Sequence, residues 1–467
     1  MSTGVPRRVA YPHSDELLRV ADCLPVNEGR ASLVHALVDS YSLLTETAKE
    51  GYARVVEPLR ATREQLVRFH DERFIGTSDA ILGTEGAAGN SSDLDSEEES
   101  EDGARPPTPI FGLDRAPSSP HPRKRRKAEH GSSIGLQDDC PVFAELPDYV
   151  QLVAGASIQA ARELRDGNAD VAISWTGGRH HSKRAEAAGF CYVADAVLAI
   201  MELRSGPGPL RHSSPDLDTP PLPLPPPPAR ISRVLYLDLD LHHGDGVESA
   251  FFSTPHVLTL SMHLFAPLFF PASGALESTG PVGRGRAKPA AAGHALNVAL
   301  EPGLGEETFM RVWESCIVKV ASAYDADAIV LQLGVDGLAG DPCKEWNLSL
   351  SALGFALERV LSWNKRTLLL GGGGYDSPNA ARAWTYLTSI AVGRPLALDA
   401  AIPADLPTAQ YEQFAPSFSL DVPAGHVQDR NTDGSLARVE EAFERYARDL
   451  VAKKEAKSAK STRSALQ

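Results

Sequence analysis

Five apolar runs along the chain predict buried β-strands. They are almost continuously apolar, which is typical of parallel strands covered on both faces. These runs are residues 169–175, 233–241, 256–262, 327–334 and 366–372. Between them, apolar residues recur at three- and four-residue spacing, which predicts helices. The predicted helices are residues 31–44, 148–165, 191–204, 306–324, 351–363 and 378–392. The alternation predicts a single α/β domain with a central, mostly parallel sheet flanked by helices.

Three segments depart from this alternating pattern. Residues 77–134 contain an acidic run, Pro-rich spacers and a basic cluster, and residues 205–230 are rich in proline. Such segments contain too little apolar surface to offset the entropy lost on ordering. We therefore predict a disordered acidic and basic insertion and an extended Pro-rich insertion. The main domain would comprise 8–76 and 135–425, followed by a C-terminal helix and basic tail over 426–467.

Composition narrows the class of protein further. The net charge of −15 argues against nucleic-acid binding through overall charge. No apolar run is long enough to predict a membrane span, and the first residues lack the apolar core of a signal peptide. The five widely spaced cysteines form no CxxC pair, which favours a reducing compartment. A basic cluster at 123–127 resembles a nuclear-localisation signal, so we expect the nucleus and leave the cytoplasm open.

Polar side chains follow four of the predicted strands at the point where each strand ends. In an open α/β sheet, ligands bind beyond the carboxyl ends of the strands. We therefore predict one site at that edge of the sheet. Its candidate residues are His180, His181, Asp238, Asp240, His242, Asp245, Asp336 and Tyr375.

The stretch DLDLHHGDG holds the densest group of these residues. Side chains alternate along a strand, so Asp238, Asp240 and His242 would share one face. Leu239 and Leu241 would share the other face. Burying so many charged groups is costly unless they are paired or bind a metal ion. The pattern therefore predicts a metal site.

A three-ligand site accounts for this group. Asp240 and His242 could bind one ion, and Asp336 from a neighbouring strand end would be the third ligand. Three protein ligands with one open position is the pattern of catalytic zinc, whereas structural zinc sites use four. The remaining carboxylates, Asp238 and Asp245, are suited to orient the two histidines that follow the first strand, since a carboxylate fixes the imidazole tautomer.

Seven stretches follow one another along most of residues 20–420. They are RASLVHALVDSY, DCPVF, GGRHHSKRAEAAGFCYVADAVLAI, DLDLHHGDGVESAFF, LTLSMHLFAPLFFPASG, LQLGVDGLAGDP and LLLGGGGY. Together, and in this order, they resemble the class I zinc-dependent histone deacetylases. The resemblance implies the arginase–deacetylase fold and the removal of acetyl groups from lysine side chains by zinc-activated water. It also implies a chromatin regulator that represses transcription, with acetylated histone tails or non-histone chromatin proteins as substrates. Ferrous iron is the alternative metal.

The resemblance also implies roles for individual residues. The implied zinc ligands are Asp240, His242 and Asp336. The implied catalytic residues are the acid–base pair His180 and His181, their partners Asp238 and Asp245, and Tyr375, which would bind the acetyl oxygen. The implied substrate-binding residues are Asp139 at the rim and Gly189, Phe190, Phe270 and Gly373 in the channel. Arg30 would lie at an internal channel behind the metal.

Two structural potassium ions are implied as well. The groups around the first would be Asp238, Asp240, His242, Ser261 and Met262. The second would use Phe251, Thr254 and Val257, with His294 at a position where the family commonly has tyrosine. Acetylpolyamine or other small-amide deacetylation, and a catalytically weak scaffold in a chromatin complex, remain the alternatives.

Several positions separate this chain from related groups. Ureohydrolases of the same fold hold two manganese ions and need carboxylates where this chain has Gly244 and Leu338, so one metal is expected.

Pro342 replaces the arginine of members that inositol phosphate activates within corepressor complexes. The resemblance is therefore closest to the corepressor-independent branch, and inositol-phosphate binding is not expected. Cys343 stands where the family has an apolar channel residue, which leaves the acyl preference open.

Overall fold

The computed structural model describes residues 7–49, 52–76, 82, 134–137, 139–206, 229–282 and 290–465. Nearly all of the two predicted insertions, 77–134 and 205–230, lies outside the described residues, so their interpretation stays a prediction. Among the described helices, none combines the length and the apolar content that crossing a membrane requires.

The described strands form one eight-stranded sheet in which every neighbouring pair is parallel. The strands are β1 (Val9–Pro12), β2 (Ala53–Val56), β3 (Val171–Ser174), β4 (Val234–Asp238), β5 (Val257–Leu264), β6 (Ala295–Leu300), β7 (Ala328–Gln332) and β8 (Arg366–Leu370). Their order across the sheet is β2-β1-β3-β8-β7-β4-β5-β6. This confirms the predicted parallel α/β architecture.

Helices cover both faces of the sheet. They are α1 (Asp15–Ala21), α2 (Arg30–Ser40), α3 (Leu43–Lys49), α4 (Arg63–Leu66), α5 (Glu72–Gly76), α6 (Leu146–Arg165), α7 (Asp195–Arg204), α8 (Asp245–Phe251), α9 (Glu306–Val312), α10 (Val318–Tyr324), α11 (Leu350–Ser362), α12 (Ser377–Ala391), α13 (Thr408–Tyr411) and α14 (Asp433–Ala465). A π-helical turn, Trp313–Ile317, joins α9 to α10. A short 3₁₀ helix, Glu412–Phe414, follows α13.

The apolar runs form strands because both faces of the sheet are buried. In β4, Leu235 and Leu237 contribute to a core that includes residues of α2, α11, α12 and α14. Val234 and Tyr236 contribute to a second core with residues of α6 and α7. Successive side chains of a strand point to opposite faces of the sheet. Because both faces are buried here, every position of the strand is apolar.

Three strands did not appear in the sequence prediction. β1 and β2 are only four residues long, and two of the four residues of β2 are exposed. In β6 the apolar pattern is interrupted by Asn297, which is buried and donates hydrogen bonds to Glu248 Oε2 at 2.9 Å and to the Ser278 carbonyl at 3.2 Å. Short or interrupted apolar runs carry a weak periodic signal, so these strands were missed.

The strand order explains why polar groups converge. The strands β3, β8, β7 and β4 are consecutive neighbours in the sheet, although the chain reaches them at widely separated points. They are the four strands whose carboxyl ends carry the candidate residues. Parallel pairing places those ends at a single edge.

The C-terminal helix α14 packs its apolar side chains against this fold. Phe443 is fully buried, whereas Val451 on the same helix is 42% exposed. We expect Phe443→Ala to lower the free energy of unfolding by about 3–5 kcal/mol, because it removes a buried ring and leaves a cavity. Val451→Ala is the matched control and should change it far less. Urea denaturation of both variants measures this; equal losses would contradict the packing role of α14.

Candidate active site

The chain leaves the sheet earlier than the sequence pattern predicts. β4 ends at Asp238, so Asp240 and His242 lie in a loop and not on a strand face. The Asp238 carboxylate accepts a hydrogen bond from the Asp240 N–H, and the Asp240 carboxylate accepts one from the His242 N–H, both at 3.1 Å. Aspartate side chains that bind the backbone two residues ahead turn the chain in this way. The predicted strand alternation is therefore wrong here.

The three predicted metal ligands nevertheless converge. His242 Nδ1 lies 2.9 Å from Asp336 Oδ2 and 3.4 Å from Asp240 Oδ1. Asp240 Oδ2 also accepts hydrogen bonds from Gln332 Nε2 and from the Gly373 N–H, both at 2.9 Å. The loop and the ends of β7 and β8 thus hold two carboxylates and one imidazole around a single point.

The electrostatics of this group favour a bound cation. Burial and the neighbouring Asp240 carboxylate raise the pKa of Asp336 to about 7. Burial alone would lower the pKa of His242, but hydrogen bonds to Asp240 and Asp336 raise it to about 10. Both shifts show that the two buried carboxylates attract positive charge, and the donor set is one that zinc accepts. The residues therefore fit a divalent metal ion.

A thiol also belongs to this group. Ligand atoms of Cys343, His242 and Asp336 all lie within 4.8 Å of one another. Burial, together with Asp336 and Asp341, raises the pKa of the Cys343 thiol. The resemblance implies an apolar channel residue at this position, and the structure places Cys343 beside the candidate ligands.

The two histidines that follow β3 have one carboxylate each. His180 Nδ1 lies 2.9 Å from Asp238 Oδ2, and His181 Nδ1 lies 2.8 Å from Asp245 Oδ1. The centroids of the two imidazole rings are 3.9 Å apart. Each carboxylate therefore binds Nδ1 of its histidine and leaves Nε2 unoccupied by it, in the arrangement that the sequence predicts.

The surroundings shift the pKa values of the two imidazoles in opposite directions. Burial alone would lower the pKa of His180, but the Asp240 and Asp238 carboxylates raise it to about 9. Burial and the charge of His180 lower the pKa of His181 to about 3, despite the hydrogen bond to Asp245. Neighbouring titratable groups whose pKa values diverge can divide acid and base roles between them.

Tyr375 lies in a glycine-rich loop that two distant segments hold in place. Its backbone N–H donates to Asp341 Oδ2 at 2.7 Å. Arg30, at the start of α2, donates to the carbonyl oxygens of Gly374 at 2.8 Å and Gly372 at 3.3 Å. Tyr375 lines one pocket together with His180 and His181.

Aromatic rings form the walls above this pocket. The Phe190 ring lies 5.7 Å from the Tyr375 ring, and the Phe270 ring lies 4.8 Å from the His181 ring. Gly189 has a φ of 53°, and a Cβ atom there would lie 2.4 Å from His181 Cδ2 and 2.9 Å from the Phe270 ring. Only glycine fits between the imidazole and the wall.

A similar constraint applies to Gly373. A Cβ atom at this position would lie 2.3 Å from Asp336 Oδ2. The backbone of the loop therefore runs directly against the carboxylates of the candidate metal site. Because a side chain would collide with Asp336, position 373 requires glycine. The predicted substrate-binding role of Gly373 would therefore involve its backbone.

Asp139 contacts the channel wall, and the predicted potassium residues lie in and around β4 and β5. Asp139 Oδ2 accepts a hydrogen bond from the Gly189 N–H at 2.6 Å, which ties the rim to the channel wall. Ser261 pairs with Asp238 across β4 and β5. Of the remaining predicted potassium residues, Val257 and Met262 lie in β5, Phe251 ends α8 and Thr254 lies in the turn between them. Asp240 and His242 lie in the loop after β4.

Several residues that support the site escaped the sequence prediction. Tyr236 donates its hydroxyl to Asp238 Oδ2 at 2.7 Å, and Gln332 binds Asp240. The Phe269 ring stacks on the imidazole of His242 at 5.0 Å. Asp195 accepts hydrogen bonds from the N–H groups of Gly178 and Arg179. Gln332 could have been found, because it is a polar residue at the end of an apolar strand.

Comparison with known proteins agrees with this geometry. The model of the histone deacetylase domain matches residues 24–212 and 228–391. The chain is 35% identical over 434 residues to histone deacetylase 8 of Danio rerio, covering 93% of each protein. It is 33% identical over 410 residues to histone deacetylase clr6 of Schizosaccharomyces pombe, covering 87% of this chain and 81% of that protein. The chain therefore belongs to the histone deacetylase family.

Proposed function

We propose that this protein hydrolyses acetyl-lysine side chains of histones or other chromatin proteins with one divalent metal ion, zinc by preference. The observation that carries the proposal is the convergence of three metal-ligand side chains with two carboxylate-bound histidines and a tyrosine at one sheet edge. Asp240, His242 and Asp336 would hold the metal. Family membership supports the same activity.

The acid–base chemistry is assigned to the histidine pair. Bound zinc would polarise the amide carbonyl and acidify water. The neutral imidazole of His181 is suited to accept a proton from the attacking water, while Asp245 fixes its orientation. His180, whose Nδ1 lies 2.9 Å from Asp238 Oδ2, is suited to stabilise negative charge that develops on the substrate. The histidine pair then returns a proton to the lysine nitrogen, and the C–N bond breaks.

Tyr375 is assigned to the acetyl oxygen. A fixed hydroxyl donor that faces the developing oxyanion stabilises the transition state more than the ground state. Two hydrogen bonds hold the loop that carries Tyr375: its own N–H donates to Asp341, and Arg30 donates to the Gly374 carbonyl. Phe190 and Phe270 would enclose the aliphatic stem of lysine, which is apolar once acetylation has removed its charge.

The cellular setting follows from the same proposal. A chromatin substrate implies work in the nucleus, and the basic cluster at 123–127 is compatible with nuclear import. The potassium ions would bind backbone carbonyls and Ser261 beside the metal loop. Histone deacetylase family membership favours this reading over the small-amide and scaffold alternatives.

The first prediction concerns metal content. We expect the purified protein to hold about one catalytic transition metal per chain, because Asp240, His242 and Asp336 can together bind a single ion, while Gly244 and Leu338 offer no carboxylate for a second ion. Asp336→Asn should lower both metal content and deacetylation of an acetyl-lysine peptide. Asp433→Asn removes a carboxylate whose side chain is 97% exposed and should change neither. Elemental analysis that finds two tightly bound manganese ions would contradict the single-metal site.

The second prediction concerns the Tyr375 hydroxyl. Tyr375→Phe keeps the ring and removes one donor, so kcat should fall about 100–1,000-fold with KM little changed. Metal content and melting temperature should stay near those of the parent. Tyr411→Phe, outside the site, is the matched control. Steady-state kinetics on an acetyl-lysine peptide measure both variants, and a Tyr375→Phe variant as fast as the parent would refute the assigned role.

A further inference from the structure

A fourth possible metal ligand lies beside the three that the proposed function uses. Ligand atoms of Cys343, His242 and Asp336 all lie within 4.8 Å of one another. Zinc binds sulfur at about 2.3 Å and nitrogen or oxygen at about 2.0–2.2 Å, so the ligand atoms of a tetrahedral site are about 3.3–3.7 Å apart. A shift of the Cys343 side chain by about 1 Å would therefore bring its Sγ atom into such a site.

Cys343 differs from the other cysteines in its neighbours. Cys140, Cys191 and Cys316 are buried, and Cys23 is half-buried like Cys343. Among the residues that the structure describes, Cys343 is the only cysteine in a group of three or more possible metal ligands. Its position, and not its exposure, sets it apart.

The loop after β7 holds Cys343 in place. Asp341 Oδ1 accepts a hydrogen bond from the Cys343 N–H at 2.9 Å, and Asp341 Oδ2 accepts one from the Tyr375 N–H at 2.7 Å. The Ala339 N–H donates to the Leu348 carbonyl at 2.9 Å, which closes the loop on itself. These bonds fix the backbone that carries the thiol beside the metal ligands.

The surroundings of the thiol are those of a ligand and not only those of a core residue. The carboxylates of Asp336, Asp341 and Asp240 all lie close enough to act on the Cys343 thiol. These carboxylates attract a divalent cation, and a thiol that coordinates such a cation loses its proton. Metal binding would therefore convert the thiol into a thiolate ligand, with its proton released to solvent.

We infer that Cys343 is a fourth ligand of the metal ion in the substrate-free protein. The inference rests on the proposed function and deepens it at the metal site. Three protein ligands leave one position open for catalysis, whereas four close the site. The thiolate would close that position until the acetyl oxygen of a substrate takes its place. The resemblance implies an apolar residue here in the family, so this closure would distinguish the present chain.

A thiolate ligand also affects which metal ion binds. Thiolate is a soft ligand that favours zinc, whereas imidazole and carboxylate ligands also suit ferrous iron. Asp240, His242 and Asp336 alone form a set of the second kind. Cys343 would therefore shift the preference of this site toward zinc.

The first arm of the test identifies the ligand atoms. X-ray absorption of the full chain with one equivalent of zinc and no substrate should show one sulfur atom at about 2.3 Å from the metal. The sulfur should be lost in Cys343→Leu and retained in Cys23→Ser, which changes the other half-buried cysteine. A parent whose zinc has only nitrogen and oxygen neighbours, or a Cys343→Leu variant that keeps the sulfur, would overturn the inference.

The second arm measures metal affinity by competition with a fluorescent chelator. The dissociation constant for zinc should rise at least about tenfold in Cys343→Leu, because losing even an outer partner of a metal ligand typically costs that much. The constant for ferrous iron, measured without oxygen, should rise less. Equal zinc constants in parent and variant would contradict a fourth ligand, and an unchanged ratio of the two constants would refute the effect on metal preference.

Neither measurement needs turnover, which separates this inference from the proposed function. A parent with a zinc–sulfur bond that hydrolyses no acetyl-lysine peptide would refute the proposed function and support the inference. A parent that hydrolyses the peptide without such a bond would refute the inference alone. If Cys343→Leu does not fold, as judged by its melting temperature, Cys343→Ser takes its place, because its hydroxyl resembles the thiol in shape and lacks the soft sulfur donor.

Discussion

The enclosure of two carboxylates, Asp240 and Asp336, at one edge of the sheet is the constraint on which the rest of the site depends. Both are almost completely buried, and carboxylates in such surroundings are costly without a cation. Asp240 accepts hydrogen bonds from Gln332 and from the Gly373 N–H, and Asp336 contacts the imidazole of His242. The glycine-rich loop, the aromatic walls and the histidine pair are arranged around that charge.

The sheet supplies the geometry that this charge requires. Because β3, β8, β7 and β4 are consecutive neighbours, loops that are far apart in sequence end within one small volume. Buried apolar side chains on both faces hold the strands rigidly, which fixes the loops at their ends. The second layer around the site, including Tyr236 beneath Asp238, then limits how far each reactive group can move.

The sequence predicted the sheet and the main site residues for identifiable physical reasons. Five strands were evident because strands that are buried on both faces are continuously apolar. The site was evident because polar residues follow four of these strands, and a structural role alone would not explain so many of them at one sheet edge. The short strand β2 and the interrupted strand β6 gave little periodic signal. The turn after Asp238 depends on side chain to backbone hydrogen bonds, which apolar periodicity does not report. The resemblance placed Arg30 at an internal channel, but the position of Arg179 in the same cavity could not be predicted, because the two arginines are 149 positions apart and only tertiary packing brings them together.

The contact between Arg30 and the glycine-rich loop has a consequence for synthesis of the protein. The guanidinium group near the start of the chain binds carbonyl oxygens 342 and 344 positions later. On the ribosome, the N-terminal half therefore emerges long before the loop that completes the catalytic pocket. Until β8 inserts between β3 and β7, the sheet is incomplete. The carboxylates and histidines of the site and Arg30 are not yet held together at that stage. A nascent chain is consequently inactive until nearly all of its fold has emerged, and the central strand that is made last closes both the sheet and the site.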